Sequence, residues 1–206
     1  MMRGSISLWL AFAVVAVLPA AGTALAAASE DWPCVQRKVS ELSLASVWSG
    51  PPLDLESGKW RSDPDIASLV ERLAARRTSE EEARKAIAAL AASSGDAKRD
   101  KLLALLAGLF ETINGERSHI IAGIERYGRK QKQLAEALRE ETAKLDSLRK
   151  DANADKSNFA QMNEQLTWSL RIFDERQRSL RFVCEVPVLI EQRLFVLVRA
   201  IQAALQ

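Results

Sequence analysis

The chain has 206 residues, of which 48% are hydrophobic, 27% charged and 6% aromatic, a composition typical of a globular protein rather than a disordered or collagen-like one. A formal net charge of +2 gives no basis for nucleic-acid binding driven by bulk charge. With 9 glycines, 6 prolines and 1 histidine, the sequence disfavours a turn-rich all-β domain and excludes histidine-rich metal sites and most histidine-dependent catalysis.

The N-terminus has the pattern of a secretory signal peptide. Arg3 precedes an apolar run from Ile6 to about Ala21, and Ala24-Leu25-Ala26 matches a cleavage motif. A membrane anchor is the alternative, but the run is short for a span and ends in small residues. The sequence therefore predicts a signal peptide over residues 1–28. Because the Ala-, Arg- and Leu-rich usage is typical of bacteria, the predicted destination is the periplasm, as a soluble protein.

The two cysteines, Cys34 and Cys184, are predicted to form a structural disulfide. An even number of cysteines in an exported chain indicates a bridge, since that compartment is oxidising. A reactive thiol pair is the alternative, but the C-x-x-C spacing is missing. The bridge would fasten the N-terminal part of the chain to a point far along it.

An irregular N-terminal arm is predicted over residues 29–62. Asp31 and Pro33 suit the start of a short helix through Val47, and Gly50-Pro51-Pro52 forbids helix beyond it. Two interpretations of the arm's tryptophans remain open. They are hydrophobic anchors that lay the arm on a helical body, or they line a groove for a partner. These residues are Trp32, Trp48 and Trp60.

Two short helices are predicted over residues 63–95. Asp63-Pro64 is an N-cap followed by an N1 proline, and the apolar residues that follow fall on one face as far as about Arg77. Ser79 with Glu82 matches a capping box at the start of the second helix. Ser94-Gly95 suits its C-terminus, because glycine is the preferred residue just after a helix.

Two long helices are predicted over residues 96–150 and 155–206. In the first, the apolar positions stay in phase across Asn114-Gly115, a common turn dipeptide, so one continuous helix is expected. The second carries a heptad seam of about seven heptads. Pro187 lies inside this seam and is expected to kink or break the helix near residues 183–186.

The predicted fold is all-α. Two long helices joined by a short polar turn favour an antiparallel coiled-coil hairpin. Within the predicted helical domain of residues 63–206, the apolar positions from Leu102 to Ile124 and from Val186 to Leu205 cover a wide arc that needs more than one neighbour. The two short helices are the natural cover, which predicts a four-helix bundle at the base. Residues of about 126–180 would then project as a stem.

The middle of the predicted stem is the candidate interaction surface. Trp168 lies one residue before a seam position, so it either points away from the seam or folds back along the flank. The stretch is also locally basic, which indicates a solvated flank with cross-helix ion pairs, or a docking collar for an acidic protein or anionic lipid. The basic residues are Arg126, Arg129 and Lys130 on the first helix and Arg171 and Arg178 on the second.

Catalytic and metal-binding patterns are weak in this sequence. Glu116 and His119 form an E-x-x-H match, but di-iron bundles need two such motifs and this chain has one histidine. Phosphate-binding, serine-hydrolase and zinc-protease motifs are missing. We therefore expect no enzyme activity, no metal and no cofactor.

The resulting functional hypothesis is a non-catalytic exported scaffold or adaptor that binds another protein through its coiled coil. A chaperone-like client binder and a ligand- or stress-sensing helical bundle are the alternatives. A second copy of the chain is a further candidate partner through coiled-coil surfaces. Peripheral membrane contact is compatible with this hypothesis but is not required, and nucleic acid is not an expected partner.

Overall fold

The computed structural model describes residues 31–55 and 57–206, and the predicted signal peptide over residues 1–28 lies outside them. Within the described residues the protein is all-α and contains no strand, which confirms the predicted fold class. Short 3-10 turns cover Lys59–Ser62 and Gly95–Ala97. The α-helices are α1 (Leu44–Val47), α2 (Pro64–Ala74), α3 (Glu80–Ser93), α4 (Lys98–Lys150) and α5 (Lys156–Leu205).

Local capping explains where the short helices begin and end. The Asp63 carboxylate accepts hydrogen bonds from the backbone N–H groups of Asp65 and Ile66, and Ser79 forms a capping box with Glu82. Helix α2 ends at Ala74, three residues before the predicted end, because the backbone is extended at the next residue. After α3, Gly95 adopts a positive φ of 48°, the left-handed conformation that favours glycine.

Both long helices are continuous. Helix α4 runs through Asn114-Gly115, as its periodicity predicts. Helix α5 runs through Pro187, so of the kink or break expected near residues 183–186 the break does not occur. A proline inside a helix costs about 3 kcal/mol. Here Pro187 and its neighbours Cys184 and Ile190 are all buried, and the packing of this segment offsets that cost.

The main hydrophobic core lies where α2 and α3 pack against the long helices. Helix α2 contacts α4, and α3 contacts both α4 and α5. Gly108 permits a close approach, because a Cβ there would lie 2.5 Å from Val70 and 2.8 Å from Trp60. Each fully buried aliphatic side chain contributes about 1.5–3 kcal/mol. The fully buried residues include Ile66, Leu73, Ile87, Leu105, Leu109 and Leu194.

A second, smaller cluster joins α4 and α5 near the turn that connects them. Leu138, Leu145 and Leu166 form its buried centre. The contacts run in opposite directions along the two helices. Tyr127 donates a hydrogen bond to the Arg176 carbonyl at 2.9 Å, and residues later in α4 contact residues earlier in α5. The heptad spacing of α5 places Arg176 on the seam, yet its side chain is exposed. The other seam positions of α5 are buried or half-buried.

The arm before α1 is extended rather than helical, so the predicted helix over residues 31–47 is wrong except for its last turn. Side chains of α4 explain this, because they bind arm backbone groups that a helix would use for itself. Asn114 binds both backbone groups of Leu42, and Arg117 donates to the Val39 carbonyl at 2.8 Å. Ser118 donates to the next carbonyl of the arm at 2.9 Å.

The arm is also held covalently. Cys34 and Cys184 form a disulfide with a Cα–Cα distance of 5.7 Å, which confirms the predicted pairing. Beside it, Gln36 donates a hydrogen bond to the Cys184 carbonyl. At the start of the described arm, Arg129 pairs with Asp31 at 2.6 Å. The bridge and these polar contacts fasten the arm to both long helices.

The arm's tryptophans all satisfy their indole N–H groups within the chain. Trp48 is 7% exposed and belongs to the main core, where it donates to the Pro51 carbonyl at 2.7 Å. Trp60 donates to Glu111 at 2.9 Å, and Trp32 donates to a backbone carbonyl of the arm at 2.7 Å. These contacts support the interpretation of the tryptophans as anchors.

Arg193 fastens the connection between α2 and α3 to helix α5. Its guanidinium donates two hydrogen bonds to the Leu73 carbonyl, at 2.6 and 3.0 Å, and one to the Thr78 carbonyl at 2.9 Å. Burial lowers the pKa of Arg193 from its ordinary value. One cation therefore binds the Leu73 carbonyl in the last turn of α2 and the Thr78 carbonyl just before α3.

None of the helices in the described part of the chain combines the length and apolar character needed to cross a membrane.

Candidate interaction surface

Three large apolar side chains on α5 face solvent at heptad spacing. Trp168 is 58% exposed, Phe182 61% and Leu189 54%. They lie two residues after the seam positions Leu166, Leu180 and Pro187. All three therefore project from the side of α5 that faces away from α4. At 1.5 Å per residue they span about 31 Å. We call these residues the α5 outer face, together with the exposed charged residues between them, Arg171, Glu175, Arg178, Arg181 and Glu185.

Arginines of the outer face lie over its aromatic rings. The Arg171 guanidinium carbon is 5.8 Å from the Trp168 ring centroid, and that of Arg181 is 5.1 Å from the Phe182 centroid. Arg171 also pairs with Glu175 at 3.3 Å, four residues further along the helix. Exposed contacts of these types are each worth less than about 1 kcal/mol. They leave the arginines accessible to a partner.

An open groove borders the outer face beside the disulfide. It has a volume of about 720 Å³ and lies between the arm and α5. Its outer rim is formed by Val188 and Leu189, which are 42% and 54% exposed, and Val35 of the arm is fully exposed nearby. Arg181 lines the groove as well, and arginine is enriched at energetically important positions of protein interfaces. Open apolar surface beside such a residue is typical of a docking site.

Three of the predicted basic residues form ion pairs with acidic residues in the described part of the chain. Arg129 pairs with Asp31 of the arm, Arg171 with Glu175, and Arg178 with Asp174. These pairs support the interpretation of the stretch as a solvated flank. Arg126 and Lys130 are exposed on α4. The Tyr127–Arg176 hydrogen bond places the basic segments of the two helices at the same level.

Two polar residues of α4 are buried. Arg117 is 5% exposed and lies 3.5 Å from Glu191, in addition to its bond to the arm. Gln131 is 7% exposed, and neither atom of its amide group has a hydrogen-bond partner among the described residues. Because an unpaired buried amide costs free energy, Gln131 weakens the seam locally.

The two residues of the E-x-x-H match differ in exposure. His119 is exposed, whereas Glu116 is half-buried and lies 3.8 Å from Arg76. Within residues 31–55 and 57–206, no group of three or more histidine, cysteine or acidic side chains is arranged to hold a metal ion.

Phe182 and Leu189 are the surface residues that sequence reasoning missed. The available signal was their spacing from Trp168, two and three heptads further along the same helix. Trp168 itself is exposed, in agreement with the interpretation in which it points away from the seam.

Comparison with known proteins gives no relative from which a role could be transferred, since no family model, curated protein or solved structure matches this chain.

Proposed function

We propose that this protein is a non-catalytic, exported coiled-coil scaffold or adaptor that binds other protein chains through the α5 outer face. In this proposal α2, α3 and the adjoining parts of α4 and α5 form a four-helix bundle as a base. Residues of about 126–180 form a projecting antiparallel hairpin. The base and the disulfide-bonded arm hold the hairpin, and the hairpin presents the outer face to a partner.

The observation that carries this proposal is the exposure of Trp168, Phe182 and Leu189 along one side of α5. A seam between two helices does not need apolar residues on its far side. Three large side chains repeating there at heptad spacing match the surface that a third helix would bury. The arginines beside the rings add polar contacts of the kind found at interface hot spots.

Export is supported by two features of the chain. The signal-peptide pattern over residues 1–28 is one of them. The other is the Cys34–Cys184 disulfide, which is compatible with an oxidising compartment such as the periplasm.

Two matched deletions in a strain lacking the gene test this function. Removing residues 134–140 and 166–172 shortens both long helices by one heptad and removes Trp168 and Arg171. Removing residues 141–147 and 159–165 shortens them equally but keeps the outer face. Both deletions preserve the seam register and the turn.

We expect the first deletion to abolish activity and the second to retain it, with both proteins helical and disulfide-bonded. Full activity from the first deletion would contradict a docking role. Loss of activity from both would show that stem length matters rather than the outer face.

A further inference from the structure

The charge pattern of the α5 outer face is partly complementary to itself when the helix is reversed. Read from one end, the face presents Trp168, Arg171 and Glu175. Read from the other end, it presents Leu189, Glu185, Phe182 and Arg181. Trp168 therefore meets Leu189, Arg171 meets Glu185, and Glu175 meets Phe182 with Arg181 directly beside it.

We propose that the partner bound by the α5 outer face is a second copy of this chain, packed antiparallel about a two-fold axis between Arg178 and Ser179. This inference rests on the proposed docking role of the face. In a two-fold interface each contact occurs twice. Trp168 of each copy packs against Leu189 of the other, and Arg171 of each copy lies beside Glu185 of the other.

The parallel alternative is disfavoured by the same charges. With two parallel helices in register, each residue of the face meets its own equivalent, so Arg171 would face Arg171 and Glu175 would face Glu175. Like charges placed opposite each other destabilise an interface. The antiparallel register instead places Arg171 beside Glu185 and Glu175 beside Arg181. Arg178 meets its own equivalent in both registers, and its ion pair with Asp174 offsets part of that repulsion.

The outer side of α5 is open along the whole length that such a pairing needs. Gln192, Arg199 and Ala203 are exposed, so neither α3 nor the arm covers this side of the helix near its C-terminal end. The face is about 31 Å long and about 10 Å wide, which is small for a specific interface. We therefore expect a weak dimer, with a dissociation constant on the order of 10 µM.

Analytical ultracentrifugation of the purified oxidised protein, over a roughly hundredfold concentration range around that value, measures this association. We expect a monomer–dimer equilibrium. Arg171→Glu or Glu185→Arg should each weaken the dimer roughly tenfold, because each change places like charges together twice. The double variant should restore the dimer, since the pair is then only reversed. A mixture of the two single variants should form a heterodimer.

Glu140→Arg is the matched control for Glu185→Arg, because Glu140 is exposed on α4 and the two substitutions change the net charge by the same amount in the same direction. It should leave the association constant unchanged. A protein that stays monomeric throughout the range, or a dimer that Arg171→Glu does not weaken, would overturn the proposal.

This outcome is distinguishable from failure of the proposed function. A monomeric protein whose activity is nevertheless abolished by substitutions on the outer face would refute the second copy as the partner and leave the docking role standing. A dimer of the expected charge dependence, in a protein whose outer-face variants stay fully active, would confirm the pairing and refute the docking role.

Discussion

The Asn114 side chain binds both backbone polar groups of Leu42. Its Oδ1 accepts a hydrogen bond from the Leu42 N–H at 2.9 Å, and its Nδ2 donates to the Leu42 carbonyl at 3.3 Å. An amide side chain on α4 thus takes the place of a strand neighbour for the extended arm. The disulfide holds the arm from the other side, on α5. The arm therefore links the two long helices where the main core gives way to the outer part of the pair.

Removing the disulfide should loosen the arm before it affects the helices. The bridge closes a sequence separation of 150 residues, for which the chain-entropy model gives about 5 kcal/mol. Cys34→Ser should raise proteolytic cleavage between residues 31 and 43 while the helical circular dichroism signal stays near that of the parent. Non-reducing peptide mapping of the parent should find the Cys34–Cys184 bridge, and two free thiols there would contradict this account.

Two glycines of α4 should respond oppositely to alanine. At Gly128 a Cβ would lie 2.2 Å from the Asp31 carbonyl oxygen, so Gly128→Ala should displace the arm and destabilise the protein by about 1–3 kcal/mol. At Gly115 a Cβ meets nothing within 4 Å, so Gly115→Ala should stabilise the helix by about 0.5–1 kcal/mol. Thermal unfolding measures both. Equal effects of the same sign would show that the arm does not pack on Gly128.

Arg193→Ala should be strongly destabilising. It removes three charged hydrogen bonds, two to the carbonyl of buried Leu73 and one to that of half-buried Thr78, which should lower the free energy of unfolding by about 2–4 kcal/mol. Arg199 is exposed on the same helix, so Arg199→Ala is the matched control and should change stability by less than about 0.5 kcal/mol. Denaturant titration distinguishes the two variants. A small effect at Arg193 would mean that water replaces it at these carbonyls.

His119→Ala should leave folding and biological activity nearly unchanged. The imidazole is exposed, and Glu116 lies 3.8 Å from Arg76. Elemental analysis of the purified protein should find no stoichiometric iron, zinc or copper. A bound metal that this variant loses would contradict the expectation.

Features set by local chemistry could be predicted from the sequence. The capping residues Asp63 and Ser79 act at short range, and the heptad spacing of α5 is a property of the helix alone. The arm's conformation depends instead on Asn114 and Arg117, which are distant in sequence and belong to no pattern. The continuity of α5 through Pro187 likewise depends on tertiary packing.

The candidate surface was only partly predictable for a related reason. Trp168 lies where only two helices meet, so its exposure follows from its heptad position. Leu189 lies in a segment whose apolar residues cover a wide arc, and the sequence predicted that the short helices would bury that arc. The structure leaves this side of α5 open, because α3 packs on another side of the helix.

The measurement that tests the central claim most directly is the activity of the Trp168→Ala, Phe182→Ala, Leu189→Ala triple variant in a strain lacking the gene. These side chains are largely exposed, so the variant should fold and keep its disulfide, with stability changes within about 0.5 kcal/mol per site. Val39→Ala with Leu170→Ala, at exposed apolar residues outside the outer face, is the control. We predict that the triple variant fails to restore activity while the control restores it fully. Full activity from the folded triple variant would contradict the role of the α5 outer face.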